Sequence, residues 1–172
     1  GASTITMQLA KNLFLVREKT LSRKLEEIVL ADYLEQVFRK DDLLELYLNV
    51  VEFGPDVYGI TQAASHYFGR SPLELNLPEC LFLATLLPSP VRSHHLAEHG
   101  ELPEHWRKHL HMLMRIAERA HRISPAELEE GLAEPVVFHK PGTPRPPPRA
   151  PRKSHGDLDG EPEPEGDWHK LD

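Results

Sequence analysis

Helical periodicity extends through the first 138 residues and limits them to an all-α fold. Within these 138 residues, no segment shows the alternation typical of a strand, and no Asn-Gly or Asp-Gly pair signals a hairpin. Apolar spacing predicts helices over residues 3–12, 22–38, 43–48, 58–68, 79–87 and 103–121, with a short helix after Ser124-Pro125. We expect Thr20 or Ser22 to cap the second helix, Asp41 to cap the third, and Gly69 to end the fourth.

The composition changes after residue 138. Eight of the 16 prolines lie from Pro141 onward, where a basic stretch over residues 145–153 is followed by an acidic one over residues 157–167. Such a segment buries too little apolar surface to offset the entropy lost on ordering. We therefore predict one domain over residues 1–138 and a disordered, proline-rich, charged tail over residues 139–172.

Charge is unevenly distributed along the chain. The formal net charge is −7 and the sequence pI is near 5.9, which argues against a general binder of nucleic acid. Residues 1–24 nevertheless carry five positive charges and one negative charge. A basic stretch in an acidic protein indicates an anionic ligand or surface, and a solvated helix face is the alternative that composition leaves open.

The first candidate site residues lie in the run GASTITMQLAKN, residues 1–12. Thr4, Gln8 and Lys11 follow one another at spacings of four and three, so they share one face of a helix. Their hydroxyl, amide and ammonium groups could hold a sugar and a phosphate. Spacing alone, however, favours an ordinary polar helix face.

A second set of candidates follows in the next helix. Lys19, Arg23 and Glu27 are each four residues apart, and Lys24 lies beside them. Two neighbouring cations favour the charged form of a carboxylate. Taken by itself, the pattern is explained better by an ordinary ladder of helix ion pairs, each worth about 0.2–0.5 kcal/mol.

In their order and residue types, these runs resemble the motifs of family 51 glycosyltransferases, the peptidoglycan glycosyltransferases. The first run is similar to the family's G-x-S-T-I-T-x-Q-x-x-K-N motif, and residues 23–27 are similar to its R-K-x-x-E motif. Residues 40–49 resemble K-x-x-I-L-x-x-Y-L-N, residues 66–69 match H-Y-F-G, and the similarity continues to about residue 138. Met7 stands where many members have Gln, and Leu43 replaces Ile. The family's first motif, E-D-x-x-F-x-x-H-x-G, does not occur in this sequence.

The resemblance implies a lysozyme-like helical domain, here incomplete, that polymerises lipid II into glycan strands. The transfer inverts the anomeric configuration, and undecaprenyl pyrophosphate leaves. Such a reaction needs a base for the acceptor hydroxyl and help for the departing anion. In the family the base is the glutamate of the first motif. Because that motif is absent, we expect this chain to be a fragment and to be inactive on its own.

The resemblance also assigns roles to particular residues. Glu27 falls on the family's second glutamate, which assists the leaving group or orders the cations around the pyrophosphate. The residues expected to neutralise the pyrophosphate are Lys11, Lys19 and Arg23, with Lys24 nearby, and those expected to line the sugar site are Thr4 and Gln8. No cofactor is required, although Mg²⁺ or another divalent metal could bridge Glu27 and the phosphates.

The expected partners are lipid II, the growing glycan strand, the membrane surface and other cell-wall synthesis proteins. The expected location is the bacterial cell envelope, at the outer face of the inner membrane. A different class of function stays open, namely a non-catalytic module that binds lipid II or a cell-wall partner. A lysozyme-like hydrolase is a third interpretation, which the sequence supports less because no positioned acid matches one.

Overall fold

The computed structural model describes residues 4–14, 20–98, 100–140 and 142–151. These residues are mostly helical, which confirms the predicted all-α class. The helices are α1 Ile5–Phe14, α2 Leu21–Val37, α3 Lys40–Val50, α4 Ile60–Phe68, α5 Leu77–Leu86, α6 Pro90–Ser93, α7 His95–Glu98, α8 Glu104–Arg119 and α9 Pro125–Ala133, with a 3₁₀ turn at Pro72–Glu74. In these described residues, no helix combines the length and the apolar character needed to cross a membrane.

Aromatic rings from α4 and α5 form the centre of the core. Tyr67, Phe68 and Phe82 are each at most 1% exposed, and Phe138 stacks on Phe68 with ring centroids 5.9 Å apart. Leu110 and Met114 of α8 lie in the same apolar cluster. Burial of such large side chains is the main source of stability in a fold of this size.

The helix ends show which capping predictions were right. Thr20 caps α2 by accepting a hydrogen bond from the Arg23 backbone N–H, and Gly69 ends α4 in the left-handed conformation, as predicted. The prediction for Asp41 was wrong, because α3 begins at Lys40 and Arg39 occupies the cap position. Asp41 instead lies in the first turn, where its charge favours the helix dipole.

The prediction that the helical region contains no strand was wrong at one place. Strands β1, Glu52–Gly54, and β2, Val57–Tyr58, pair antiparallel between α3 and α4. The turn between them uses Asp56 at a φ of 59°, a conformation that Asp tolerates better than most residues. The turn residues, Pro55 and Asp56, do not form an Asn-Gly or Asp-Gly pair, so the sequence did not predict the hairpin.

The segment after residue 138 is described as far as Pro151, and residues 152–172 lie outside the described structure. We call residues 142–151 the proline-rich strap. The strap contains no helix or strand, but it contacts the helical body through Arg70, whose Nη1 donates to the Pro147 carbonyl at 2.7 Å. The boundary between a domain and a disordered tail at residues 138 and 139 stays a prediction.

Candidate functional site

Glu27 lies on the inner side of α2, where the helix packs against α1. The residue is only 2% exposed, so its carboxylate has almost no access to water. Both carboxylate oxygens are bound by cations of the same helix: Arg23 Nη1 donates to Oε1, and Lys24 Nζ donates to Oε2 at 2.8 Å. The spacing of four residues between Arg23 and Glu27 therefore does form an ion pair, and Lys24 adds a second one at a spacing of three residues.

These contacts determine the charge of Glu27. The hydrogen bond from Lys24 lowers the pKa of the Glu27 carboxyl below its ordinary value, although burial acts in the opposite direction. The positive charges of Arg23, Lys24 and Lys11 lower this pKa further. Glu27 is therefore ionised at neutral pH and is poorly suited to donate a proton.

Arg23 and Lys24 differ in how much of each side chain remains available to a ligand. The Arg23 side chain is 20% exposed, and its Nε is buried without a hydrogen-bond acceptor in the protein. The Lys24 side chain is 41% exposed. A buried N–H donor without a partner is costly and is rare in folded proteins. An anion that reached Arg23 would supply the missing acceptor.

Helix α1 brings the first predicted set close to this cluster. Lys11 lies in the last turn of α1, is exposed, and acts electrostatically on Glu27. Gln8 is half-buried, and its Oε1 accepts a hydrogen bond from the Tyr47 hydroxyl at 3.2 Å. Thr4 is exposed and accepts from the Met7 backbone N–H at 3.1 Å, so its hydroxyl caps α1.

The structure thus brings Lys11, Arg23, Lys24 and Glu27 together through the packing of α1 on α2. Lys19 lies outside the described residues, so its predicted role stays a prediction. Thr4 caps α1 and Gln8 lies within it, but the hydrogen bonds described for them are structural ones.

Tyr47 also belongs to this region, although it is not among the site residues that the sequence predicts. It is 3% exposed, lies on α3, and fixes Gln8 from a position 39 residues further along the chain. Burial raises the pKa of its hydroxyl, so it stays a hydrogen-bond donor. No spacing rule links positions so far apart, although its place in the Y-L-N motif was a usable signal.

The arrangement offers little to a metal ion. Each Glu27 oxygen already accepts from a cation, and no group of three or more His, Cys, Asp or Glu side chains in the described ranges could hold a metal. A divalent metal bridging Glu27 to phosphates stays a prediction. The cluster can hold an anion with positive charges that one buried carboxylate keeps in place.

Comparisons with known proteins show which proteins the chain is similar to. Residues 1–117 match the family described as Transglycosylase. The chain is 42% identical over 140 residues to a penicillin-binding protein 1A of Aquifex aeolicus, a match that covers 81% of this chain and 19% of that protein. It is 53% identical over 98 residues to a biosynthetic peptidoglycan transglycosylase of Shewanella denitrificans, which covers 56% of this chain and 43% of that protein. A crystal structure of penicillin-binding protein 1A from Haemophilus influenzae aligns with a TM-score of 0.48 and 23% identity, over 80% of this chain and 17% of that one. The chain thus spans less than half the length of each of these proteins.

Proposed function

This chain belongs to the transglycosylase family, and on that basis we propose that it forms the donor-binding part of a peptidoglycan glycosyltransferase that polymerises lipid II. The observation that carries the proposal is the buried, ionised Glu27 held between Arg23 and Lys24, with the charge of Lys11 nearby. Such a cluster suits the pyrophosphate of a lipid-linked sugar.

We assign Glu27 the task of ordering the cations. In the transfer, the bond between the anomeric carbon and the pyrophosphate oxygen breaks, and the electron pair stays on the pyrophosphate. Positive charges fixed beforehand at that oxygen stabilise the charge as it develops, which is a strong catalytic effect in a dry site. Because Glu27 is ionised, it supports this charge stabilisation and does not protonate the leaving group.

The acceptor side of the reaction needs another group. A new bond forms between the acceptor 4-hydroxyl oxygen and the anomeric carbon, so a base must take the hydroxyl proton. Glu27 does not serve as that base in this proposal, because its two oxygens are bound to Arg23 and Lys24. We expect the base on a segment that carries the family's first motif.

The same observation supports a second candidate function. A cluster that binds an anion, without a free carboxylate to act as base, is also what a non-catalytic lipid II module would need. Under either function, the substrate class is a pyrophosphate-linked lipid, and we propose action at the outer face of the inner membrane. The two functions differ in whether glycan product forms.

A binding and turnover assay on the 172-residue chain tests the proposal. Fluorescent lipid II is titrated into the chain, binding is followed by anisotropy, and glycan product is analysed on a gel. We expect binding that weakens with salt and that Arg23→Ala reduces at least tenfold, since charge-assisted contacts to phosphate contribute about 1.5–3 kcal/mol each. Lys108→Ala, which removes an exposed cation of α8, is the matched control.

The outcomes distinguish the two candidate functions. Because the proposal places the base outside these residues, we expect the 172-residue chain to bind without forming product under either function. Product formation by a form extended with the family's first motif would establish the polymerase, whereas saturable binding without product in that form would favour the binding module. Equal affinity of the Arg23→Ala and Lys108→Ala variants would contradict the assignment of the cluster to the pyrophosphate. In a longer form that polymerises lipid II, Glu27→Gln should abolish polymerisation while the protein stays folded.

A further inference from the structure

A second buried carboxylate lies far along the chain from Glu27 and holds the proline-rich strap. Glu79, in the first turn of α5, is 0% exposed. Its Oε2 accepts from the Asn76 backbone N–H at 3.0 Å, which completes a capping box. The same oxygen accepts from Arg149 Nη1 at 2.8 Å, although Arg149 is 70 residues away in sequence.

The strap is held at further points beside this ion pair. The Arg149 backbone N–H donates to Glu74 Oε1 at 3.1 Å, so one arginine contacts two carboxylates. Arg70 binds the carbonyl of Pro147 two residues earlier. These contacts involve main-chain groups of the strap as well as one side chain, which indicates a seated extended peptide.

The body has a surface that fits the strap closely. A Cβ added to Gly69 would lie 3.0 Å from Pro146 Cδ and 2.9 Å from His139 Cγ. The missing side chain at Gly69 therefore leaves room for the strap to run past the end of α4. Prolines suit such a path, because an extended proline-rich chain is already restricted before it docks.

The surface around Arg149 is acidic. A cavity of about 430 Å³ lies between the 3₁₀ turn, α5 and α9, and Arg149, Ala150 and Pro151 of the strap form part of its wall. The carboxylate side chains that line this cavity are Glu74, Glu127, Glu130 and Glu134. Their negative charge selects a cation, and the fork of a guanidinium matches carboxylates better than an ammonium does.

The burial of the Glu79 carboxylate explains why its ion pair with Arg149 matters. The Glu79 side chain is 0% exposed, and its second oxygen, Oε1, is buried without a hydrogen-bond partner. A charged group in this position is strongly unfavourable unless a cation compensates it. Arg149, whose side chain is 32% exposed, provides that compensation from the strap.

We propose that the groove between the 3₁₀ turn, α5 and α9 is a binding site for an arginine carried on an extended, proline-rich peptide. In this chain Arg149, carried on the strap of residues 142–151, occupies the arginine position of this site. The strap is then a docked ligand that contacts α5 through Glu79, the 3₁₀ turn through Glu74 and the end of α4 through Arg70. The groove recognises the Pro-Arg sequence whether or not it is covalently continuous with the body.

Hydrogen exchange on the full chain tests docking. Arg149→Ala should speed exchange of the backbone amide at position 149 about tenfold to a hundredfold, because the anchoring ion pair is lost. Arg145→Ala removes another arginine of the strap, one that is exposed, and should change this exchange less than twofold. Equal acceleration in both variants would overturn the proposal.

A rescue experiment tests recognition of the peptide itself. The Arg149→Ala chain is mixed with a synthetic peptide of sequence GTPRPPPRAP, residues 142–151. We expect saturable binding and recovery of the thermal midpoint, whereas the peptide with Ala in place of its second arginine should do neither. Failure of the unaltered peptide to bind at millimolar concentration would overturn the groove as a binding site.

A double variant covers the case in which Arg149→Ala does not fold. Glu79→Gln combined with Arg149→Ala leaves no buried charge without a partner, so it should fold and should recover most of the lost thermal midpoint. A double variant no more stable than Arg149→Ala alone would show that the ion pair does not anchor the strap.

Discussion

Replacing Glu27 by Gln should weaken the fold by an amount that the burial of its partners determines. The change keeps the size of the side chain and removes the charge that compensates Arg23 and Lys24. Removing one partner of a fully buried pair costs about 3–5 kcal/mol. Here the Arg23 and Lys24 side chains are 20% and 41% exposed, so water compensates them in part, and we expect a loss of about 2 kcal/mol.

A loss of this size is measurable without abolishing the fold. For a domain of 150–250 residues, about 2 kcal/mol corresponds to a decrease of roughly 4–8 °C in the thermal midpoint. Urea unfolding followed by far-UV circular dichroism gives the free energy of unfolding for comparison. Glu26→Gln is the matched control, because Glu26 is exposed and accepts one hydrogen bond from Ser22 at 3.0 Å; its loss should stay below about 0.5 kcal/mol.

The pH dependence of the difference identifies the charge as the cause. The pKa of Glu27 is lower in the folded chain than its value of 4.5 in the unfolded one, so the unfolded chain takes up the proton first. The stability that Glu27 contributes is therefore full above about pH 4.5 and is lost as the pH falls through the folded pKa. A difference between wild type and Glu27→Gln that increases on acidification, or equal losses for Glu26→Gln and Glu27→Gln, would refute this reasoning.

Two further predictions concern the core and a turn. Burial raises the pKa of Tyr67 to about 12, so the stability that its neutral hydroxyl provides should be lost as the pH rises from about 10 to 12. Tyr67→Phe should remove this part of the alkaline loss of stability, measured by urea unfolding at each pH. An unchanged alkaline transition in the variant would contradict the prediction. Gly59 has a φ of 79°, and a Cβ there would lie 2.5 Å from the Asn49 carbonyl oxygen. Gly59→Ala should therefore lower the free energy of unfolding, measured in urea, by about 3 kcal/mol or more. Gly142, with a φ of 82° and open space around it, is the control, and Gly142→Ala should cost only the backbone strain of about 1 kcal/mol. Equal losses in the two variants would show that the contact with the Asn49 carbonyl does not matter.

Local chemistry explains what the sequence predicted well. The cap of α2 at Thr20 and the end of α4 at Gly69 depend on side chains within one turn of the helix end. The same holds for the pairs that Arg23 and Lys24 make with Glu27, which lie four and three residues apart. Spacing along a helix determines such contacts before any tertiary packing exists.

Contacts between distant residues could not be predicted in this way. The bond between Tyr47 and Gln8 depends on how α3 packs against α1, and the bond between Arg149 and Glu79 joins residues 70 positions apart. The composition of the strap predicted disorder because it contains few apolar side chains. Its described part is nevertheless attached to the body by the ion pair of Arg149 with Glu79 and by hydrogen bonds with Glu74 and Arg70, and a few contacts of this kind are not visible in composition.

Helix α2 shows why apolar periodicity did not identify the buried face. Leu25, Val29 and Tyr33 recur at helical spacing and predicted the helix correctly, yet they are 65%, 70% and 60% exposed. The line that faces inward is Glu27, Ala31 and Leu34, at 2%, 5% and 5% exposure.

A carboxylate in such a buried line is tolerated only when cations of its own helix compensate it. The helix therefore positions Arg23 and Lys24 at the spacings of four and three residues from which they reach Glu27. The need to compensate Glu27 also forms the cationic cluster, because Arg23 and Lys24, which stabilise the buried carboxylate, are also the groups available to bind an anion. Packing determined which face of α2 is inside, and the charge on that face then determined the chemistry beside it.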